Sequence, residues 1–179
     1  MTSGADSVVS WAPGKLYIAG EYAVVEPGHQ AVLVTVDRFI TVRVTPCSPA
    51  GGNAGTISSR RYAAGCLPWR RRPQDGMAEA VEGDDDYVVS AIRVVEALVV
   101  QGGGRLRSFD LGIVSELDEA DGRKLGLGSS AAVTVATVRA VAGLYSLSLD
   151  DLSVYKLAML ARDAVQPIGS GGDIAASAV

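Results

Sequence analysis

The pattern of apolar and polar residues along the chain predicts strands first and helices later. Residues 8–12 and 31–44 are rich in Val, Ile and Thr, and the second segment alternates partly between apolar and polar positions, as strands do. A loop with prolines and glycines at 47–55 precedes a short strand expected near 56–62. Residues 109–117 also alternate, so we predict one more strand there.

Apolar residues at helical spacing predict three helices in the rest of the chain. The helix over 87–101 follows Asp86, which is a suitable N-cap. The helix over 129–145 is rich in Ala and Val, so it should be buried nearly all round. A third helix should begin at Asp150 or Asp151.

The segment 64–86 follows neither pattern. It carries Pro68 and Pro73, a basic run at 70–72 and an acidic run at 84–86. Prolines and charge runs favour irregular exposed structure, so a surface excursion is predicted for the whole segment. The basic run is compatible with attraction of an anionic ligand and equally with a solvated loop.

Charge and composition exclude several classes of function. A net charge of -4 over 179 residues argues against a general nucleic-acid binder, which needs an excess of Lys and Arg. Two cysteines, Cys47 and Cys66, are too few for a zinc site or a disulfide framework. Because no apolar run reaches the roughly 18 residues of a membrane span and no leader pattern is present, we expect a cytoplasmic protein without a membrane partner.

A Gly-Ser loop at 126–132 reads Gly-Leu-Gly-Ser-Ser-Ala-Ala and opens the second predicted helix. Unpaired N–H groups at a helix N-terminus attract anions, and glycines let a ligand approach the backbone. The hydroxyl of Ser130 is also suited to a Mg²⁺ held by nucleotide phosphates. The ordinary alternative is a Gly-rich turn capped by a serine. The loop sequence also matches the dinucleotide-binding fingerprint Gly-x-Gly-x-x-Ala. That fingerprint should follow a strand directly, whereas here the polar turn at 118–124 intervenes, which argues against a dinucleotide-binding oxidoreductase.

Two further segments combine charges with glycines. Residues 12–25 read Ala-Pro-Gly-Lys-Leu-Tyr-Ile-Ala-Gly-Glu-Tyr-Ala-Val-Val and place Lys15 in an apolar strand context, where a lone lysine is rare. The ordinary alternative is a loop cation paired with Glu21. Residues 169–173, Gly-Ser-Gly-Gly-Asp, deliver Asp173 to the start of an apolar helix, where an aspartate is also an ordinary N-cap.

In this order, the three segments resemble the phosphomevalonate kinases of the GHMP superfamily, and Tyr22 stands where mevalonate kinases more often have His. The resemblance implies an α+β fold over 1–179, the GHMP amino-terminal domain, with a mixed or antiparallel sheet packed with helices. Strands with the first motif would occupy 7–46, and the phosphate loop and its helix 126–146. Because the superfamily continues into a carboxy-terminal domain with a third Gly-rich motif, we expect this chain to lack that domain.

The same resemblance implies an activity. ATP would phosphorylate 5-phosphomevalonate to 5-diphosphomevalonate, with Mg²⁺, in the mevalonate route to isoprenoids. Mevalonate kinase and a non-catalytic ATP-binding fragment are the alternatives. The partners would then be ATP and a small phosphorylated acceptor, and the oligomeric state stays open.

Roles for individual residues follow from the resemblance as well. Lys15 would bridge donor and acceptor phosphoryl oxygens, and Ser130 would assist Mg²⁺. Asp173 would chiefly fix the Lys15 ammonium, because a phosphate acceptor with a second pKa of about 6 needs no general base. Arg162 stands where mevalonate kinases have a Mg²⁺-binding Glu, so the resemblance supplies no second carboxylate ligand at this position. The implied nucleotide-binding residues are Gly126, Leu127, Gly128, Ser129, Ser130 and Ala131. The implied acceptor-binding residues are Lys15, Glu21, Tyr22, Ser170 and Gly171.

Overall fold

The structure is a computed structural model that describes residues 7–48, 54–62, 64–83, 86–118 and 125–179. Its strands are β1 (Val8–Ala19), β2 (Val32–Pro46), β3 (Gly55–Ser58), β4 (Cys66–Arg71), β5 (Ala78–Ala80) and β6 (Phe109–Ser115). Its α-helices are α1 (Tyr87–Gln101), α2 (Ser129–Leu144), α3 (Asp151–Asp163) and α4 (Gly172–Ala178). A short 3-10 helix, Ala23–Val25, follows β1.

The six strands form one sheet in the order β1-β2-β6-β3-β4-β5. Neighbouring strands run antiparallel except β3 and β6, which are parallel, so the sheet is mixed as predicted. Helix α2 packs against β1 and β2, while α1, α3 and α4 pack around α2. Because α2 lies between the sheet and other helices, it is buried nearly all round, which confirms the prediction from its Ala- and Val-rich sequence.

Helix starts follow the predicted caps. The carboxylate of Asp86 accepts hydrogen bonds from the backbone N–H groups of Val88 and Val89 at 2.9 and 3.2 Å, and α1 covers the predicted range. Asp150 caps α3 in the same way through the N–H of Ser153 at 2.8 Å. These side chains satisfy N–H groups that the helix itself cannot pair, so each boundary is fixed by a local interaction.

The prediction of a surface excursion over 64–86 is wrong for the two parts of the segment that form β4 and β5. Strands β4 and β5 extend the sheet there, and Trp69 is fully buried. Its indole N–H donates to the carbonyl of Phe109 at 3.2 Å, and the two ring centroids lie 4.8 Å apart. Tertiary packing of this aromatic pair therefore outweighs the local signals of proline and charge. Of the acidic run, residues 84 and 85 lie outside the described residues.

No described helix is long and apolar enough to cross a lipid bilayer. Cys47 and Cys66 are both unpaired thiols. Most of the predicted polar turn at 118–124 lies outside the described residues.

Candidate active site

A cavity of about 270 Å³ opens where β1, α2, α3 and α4 meet. It draws on all three segments singled out in the sequence, although they are far apart along the chain. The lining residues are Lys15, Tyr17, Glu21, Val25, Tyr87, Ser130, Ala131, Thr134, Arg162, Gln166, Ile168, Gly169, Ser170, Asp173 and Ile174. Two cations, two carboxylates and several hydroxyls thus face one space, which is the composition of a site for charged small molecules.

Lys15 lies beside an irregularity in the pairing of β1 with β2. The pairing with β2 passes from Pro13 opposite Phe39 directly to Lys15 opposite Thr35, so the register shifts at this point. The backbone N–H of Lys15 donates to the carbonyl of Leu127 at 2.9 Å. This bond ties the Gly-Ser loop to β1 beside the register shift.

The side chain of Lys15 is only 8% exposed, and its Nζ lies 4.8 Å from the centroid of the Tyr17 ring. It packs along Gly128, whose φ of +77° favours glycine. A Cβ at residue 128 would lie 3.0 Å from Cε and 3.1 Å from Cγ of Lys15. Among the described residues no carboxylate forms an ion pair with Lys15. A buried ammonium group that contacts an aromatic ring and no carboxylate is available to bind an anion.

The N-terminus of α2 forms a second positive element of the cavity. Gly128 is its N-cap, and the first helical hydrogen bond joins the N–H of Ala132 to the Gly128 carbonyl at 3.0 Å. The preceding N–H groups have no helical partner, and Ser130 and Ala131 line the cavity at this end. Thr134 donates its hydroxyl proton to the Ser130 carbonyl at 2.7 Å. The helix dipole adds to this preference for an anion.

Asp173 reaches the cavity from the first turn of α4. Its Oδ1 accepts a hydrogen bond from the N–H of Ile174 at 2.9 Å. A buried hydroxyl further along α4, that of Ser177, donates to the Pro13 carbonyl at 2.9 Å. That bond fastens α4 to β1 next to Lys15, which explains why the lysine and the aspartate share one cavity.

The turn before α4 contacts β1 as well. Ser170 Oγ lies 3.2 Å from Tyr17 Oη and accepts a hydrogen bond from the N–H of Gly172 at 3.3 Å. Tyr17 follows Lys15 by two positions on β1, so both side chains point to the same side of the strand. The same ring therefore supports the lysine and positions the third segment.

The structure brings six of the predicted site residues to the cavity: Lys15, Glu21, Ser130, Ala131, Ser170 and Asp173. Leu127 and Gly128 do not line it, but both contact Lys15. Gly126, Ser129 and Gly171 do not line it either. Tyr22 is 85% exposed and lies outside the cavity, because β1 ends at Ala19 and the chain turns before the 3-10 helix.

The expected direct link between Lys15 and Asp173 is absent, although both residues are within the described chain. Lys15 contacts the Tyr17 ring, and Asp173 accepts from its own helix. The two charges share the cavity without forming an ion pair.

Several lining residues were missed from the sequence, chiefly Tyr17, Tyr87, Thr134 and Gln166. Tyr87 donates its hydroxyl proton to Gln166 Oε1 at 2.9 Å, which joins the start of α1 to the segment after α3. Helical spacing from Ser130 was a usable signal for Thr134, because residues four apart share a helix face. Contacts between separate elements gave no comparable sequence signal for Tyr87 and Gln166.

The donor set also fits Mg²⁺ that enters with a nucleotide. Ser130, Glu21 and Asp173 present one hydroxyl and two carboxylates to the cavity. In the part of the chain that the structure describes, no group of three or more His, Cys, Asp or Glu forms an all-protein metal site. Mg²⁺ commonly takes one or two protein oxygens and completes its shell with phosphates and water, so the smaller donor set suffices.

The basic run at 70–72 lies elsewhere and is occupied by carboxylates. Arg70 pairs with Glu79 at 2.7 Å, and Arg72 pairs with Asp75 at 2.6 Å. Arg71 forms a bidentate pair with Glu96 of α1. Attraction of an anionic ligand by this run, one of the two interpretations left open, is therefore not supported.

The pair formed by Arg71 and Glu96 is the centre of a second charged group, here called the Arg71–Glu96 cluster. Arg71 Nη2 lies 2.7 Å from Glu96 Oε1, and its guanidinium stacks 4.7 Å from the centroid of Trp69. Tyr145 donates to the same Oε1 at 2.8 Å and accepts from the N–H of Arg107 at 3.0 Å. Burial and the neighbouring Glu96 carboxylate raise the pKa of Tyr145 to about 12.

The chain is similar to known proteins in sequence and in fold. Residues 86–179 match the family model of the GHMP kinases N terminal domain. A phosphomevalonate kinase from a Streptomyces species is 45% identical over 185 residues, which cover 99% of this chain and 49% of that protein. A mevalonate kinase from Thermococcus sibiricus is 29% identical over 172 residues, which cover 96% of this chain and 49% of that protein.

Among solved structures, the phosphomevalonate kinase of Streptococcus pneumoniae in complex with phosphomevalonate and AMPPNP superposes with a TM-score of 0.75. It is 28% identical, and the match covers 96% of this chain and 47% of that one. The chain belongs to the GHMP kinase family, and its fold is that of the family's N-terminal domain. It spans about half the length of the curated relatives that it matches.

Proposed function

We propose that this chain supplies the ATP site and the acceptor site of a phosphomevalonate kinase, acting in the cytoplasm on the mevalonate route to isoprenoids. The observation that carries the proposal is the shared cavity of a buried Lys15, the α2 N-terminus and Asp173. The 45% identity to the Streptomyces phosphomevalonate kinase favours this acceptor over others of the family.

The proposed reaction joins two anionic reactants. A phosphate oxygen of 5-phosphomevalonate attacks the γ-phosphorus of ATP, the bond to the bridging β,γ-oxygen breaks, and ADP and 5-diphosphomevalonate result. Catalysis of such a transfer consists mainly of positioning and of neutralising negative charge. The N–H groups at the start of α2 would hold ATP phosphates, and Lys15 would contact oxygens of both reactants from its buried position.

Mg²⁺ would be held by the hydroxyl of Ser130, with Asp173 and Glu21 as the carboxylates available in the same cavity. When bound, the ion supplies further neutralisation of phosphate charge. The chain's own contribution is to fix Ser130 at the helix start, through the backbone geometry set by Gly128 and the hydrogen bond from Thr134.

Asp173 is proposed as a positioning group with respect to Lys15. A phosphate monoester has a second pKa of about 6 and is mostly a dianion at neutral pH, so the acceptor requires no general base. In the absence of a direct ion pair, Asp173 would act across the cavity, orienting the Lys15 ammonium between the two reactants. Asp173→Asn and Lys15→Met should then lose turnover to a similar degree at pH 8. A defect of Asp173→Asn confined to low pH would contradict this role.

Mevalonate kinase is the second candidate, favoured by the similarity to the Thermococcus sibiricus enzyme. There the acceptor is an alcohol, and a carboxylate at Asp173 would take the hydroxyl proton. An acceptor comparison separates the two: the chain is titrated calorimetrically with 5-phosphomevalonate and with mevalonate in the presence of Mg-AMPPNP, and ADP release is followed with each acceptor and ATP.

We expect tighter binding of 5-phosphomevalonate, and ADP release only with that acceptor. Equal or tighter binding of mevalonate contradicts the proposal and favours the second candidate. Nucleotide binding without binding of either acceptor and without ADP release favours the third alternative, a non-catalytic ATP-binding role.

A further inference from the structure

Arg162 lines the cavity, but the proposed function gives it no role. It lies in the last turn of α3, and its side chain is 12% exposed, far less than that of a typical surface arginine. The guanidinium lies on the wall formed by α3 and the segment leading to α4, whereas the proposed nucleotide-binding N–H groups belong to α2.

The guanidinium is held from one side. Its Nε and Nη2 both donate to Oδ1 of Asp163, at 2.9 and 2.6 Å. Within the described residues, Nη1 has no hydrogen-bond acceptor. An arginine that is oriented through two of its nitrogens and keeps a third free is preorganised to donate to a ligand.

The neighbouring loop is shaped around the same nitrogen. A Cβ at Gly169 would lie 3.2 Å from Arg162 Nη1, and the φ of +140° at this glycine also disfavours a side chain. Any other residue here would therefore press on the guanidinium. The glycine leaves the edge of Arg162 accessible beside Ser170, which also lines the cavity.

The charges of the cavity show what this arginine would bind. Glu21 and Asp173 are the cavity's carboxylates, and neither forms an ion pair with Arg162 in the described structure. The proposed reaction brings together a nucleoside triphosphate with its Mg²⁺ and a second phosphate dianion, and apart from Arg162 the proposed protein groups that favour these anions are Lys15 and the N-terminus of α2. Arginine is well suited to phosphate, because its planar donors match two oxygens at once.

We propose that Arg162 binds the phosphate that the acceptor already carries, and thereby makes the site prefer a phosphorylated acceptor to the corresponding alcohol. This inference rests on the proposed function and adds the specificity-determining residue to it. Arg162 would hold the acceptor phosphate by hydrogen bonds from Nη1, while Asp163 keeps the guanidinium in place.

The test measures dissociation constants by calorimetry on the full chain saturated with Mg-AMPPNP. The ligands are 5-phosphomevalonate and mevalonate, and the variants are Arg162→Gln, Arg162→Lys and Lys156→Gln. Lys156 is exposed on the same helix and does not line the cavity, so Lys156→Gln changes the net charge equally. The affinity for Mg-AMPPNP is measured separately for each variant, as a check that the nucleotide site is intact.

We expect Arg162→Gln to weaken 5-phosphomevalonate binding by roughly 10- to 100-fold, the usual effect of losing a charged hydrogen bond. Binding of mevalonate and of Mg-AMPPNP should change less than about twofold. A merely structural defect would instead weaken the binding of all three ligands. Arg162→Lys should recover part of the loss, and Lys156→Gln should match the unaltered chain.

Two results overturn the inference in different ways. If the unaltered chain binds 5-phosphomevalonate and Arg162→Gln binds it equally well, or loses both acceptors alike, Arg162 does not select the phosphate although the proposed function stands. If the unaltered chain binds Mg-AMPPNP but not 5-phosphomevalonate, the proposed function itself fails, and the role of Arg162 fails with it.

Discussion

The cavity and the Arg71–Glu96 cluster each hold a cation that is largely shielded from water, but they differ in how that cation is satisfied. Arg71 meets both carboxylate oxygens of Glu96, the Arg107 carbonyl and the face of Trp69. Among the described residues Lys15 has no carboxylate partner, and it meets the ring of Tyr17 and the backbone of the Gly-Ser loop. A shielded cation with a complete set of partners is committed to the fold, so that removing one partner is costly, whereas a cation without a carboxylate is available to a ligand.

Because of this difference, we expect substitutions in the two regions to change the stability of the fold in different ways. Removing the fully buried Glu96 leaves the largely shielded guanidinium of Arg71 without its counter-charge, which is costly. Removing the charge of Lys15 relieves a buried ammonium of its desolvation cost, so the fold loses little. The two regions can therefore be distinguished by measuring stability and binding on the same variants.

The largest effect is expected for Glu96→Ala. Because Glu96 is fully buried and accepts from both Arg71 and Tyr145, its loss should lower the free energy of unfolding by about 3–5 kcal/mol. Urea unfolding followed by circular dichroism measures this change. A loss below about 1 kcal/mol would remove the distinction between the two cations.

Lys15→Met should act in the opposite sense. We expect the affinity for Mg-AMPPNP or 5-phosphomevalonate to fall at least about tenfold, since a charged hydrogen bond to phosphate contributes about 1.5–3 kcal/mol. The free energy of unfolding should stay equal or rise, because an unpaired buried charge is removed. Calorimetric titration and urea unfolding of one preparation test both parts. Strong destabilisation with unaltered binding would show that Lys15 is structural.

Tyr145→Phe should have a moderate effect that depends on pH. At neutral pH the lost hydrogen bond to Glu96 should cost about 1 kcal/mol. The folded pKa of about 12 exceeds the unfolded value of about 10, so this group's contribution is complete below pH 10 and is lost as the pH rises toward 12.

The pH dependence is checked by comparing unfolding curves of the two proteins between pH 9 and 12. Tyr145→Phe should lose less stability across that interval than the unaltered chain. Tyr62, whose pKa is also raised by burial and by Asp86, is present in both proteins, so the difference isolates Tyr145. Identical pH profiles would contradict the assignment.

The smallest effect is expected for Glu79→Gln, which removes the partner of Arg70. That arginine side chain is 51% exposed, and exposed ion pairs contribute little. The free energy of unfolding should change by less than about 0.5 kcal/mol in urea titrations. This variant is the matched control for Glu96, because both remove a carboxylate partner of an arginine on β4. A loss comparable to that of Glu96→Ala would show that burial is not the deciding factor.

The sequence predicted best what local interactions determine. The boundaries of α1 follow from Asp86 and from apolar spacing, and the burial of α2 follows from its composition. The error over 64–86 has the opposite origin: Trp69 and Arg71 find their partners in Phe109 and Glu96, far along the chain. Local signals of proline and charge carry no information about such contacts.

The candidate site divides in the same way. Lys15, Ser130 and Asp173 were predicted because they stand in motifs that resemble a known family, and all three line the cavity. Tyr22 was predicted from the same motif but is exposed. Arg162 lines the cavity because of where α3 ends and how the loop at Gly169 runs. Helical spacing in the sequence specifies neither of these.

The central claim is that the cavity holds the γ-phosphoryl group of ATP at the start of α2, with Lys15 between this group and the phosphate of the acceptor. A crystal structure of the chain with AMPPNP and 5-phosphomevalonate tests it most directly. We predict the γ-phosphoryl group at the N–H groups of Ser130 and Ala131, with Lys15 Nζ within hydrogen-bond distance of it. Phosphates bound outside the cavity, with Lys15 still packed against Gly128 and the Tyr17 ring, would contradict the claim.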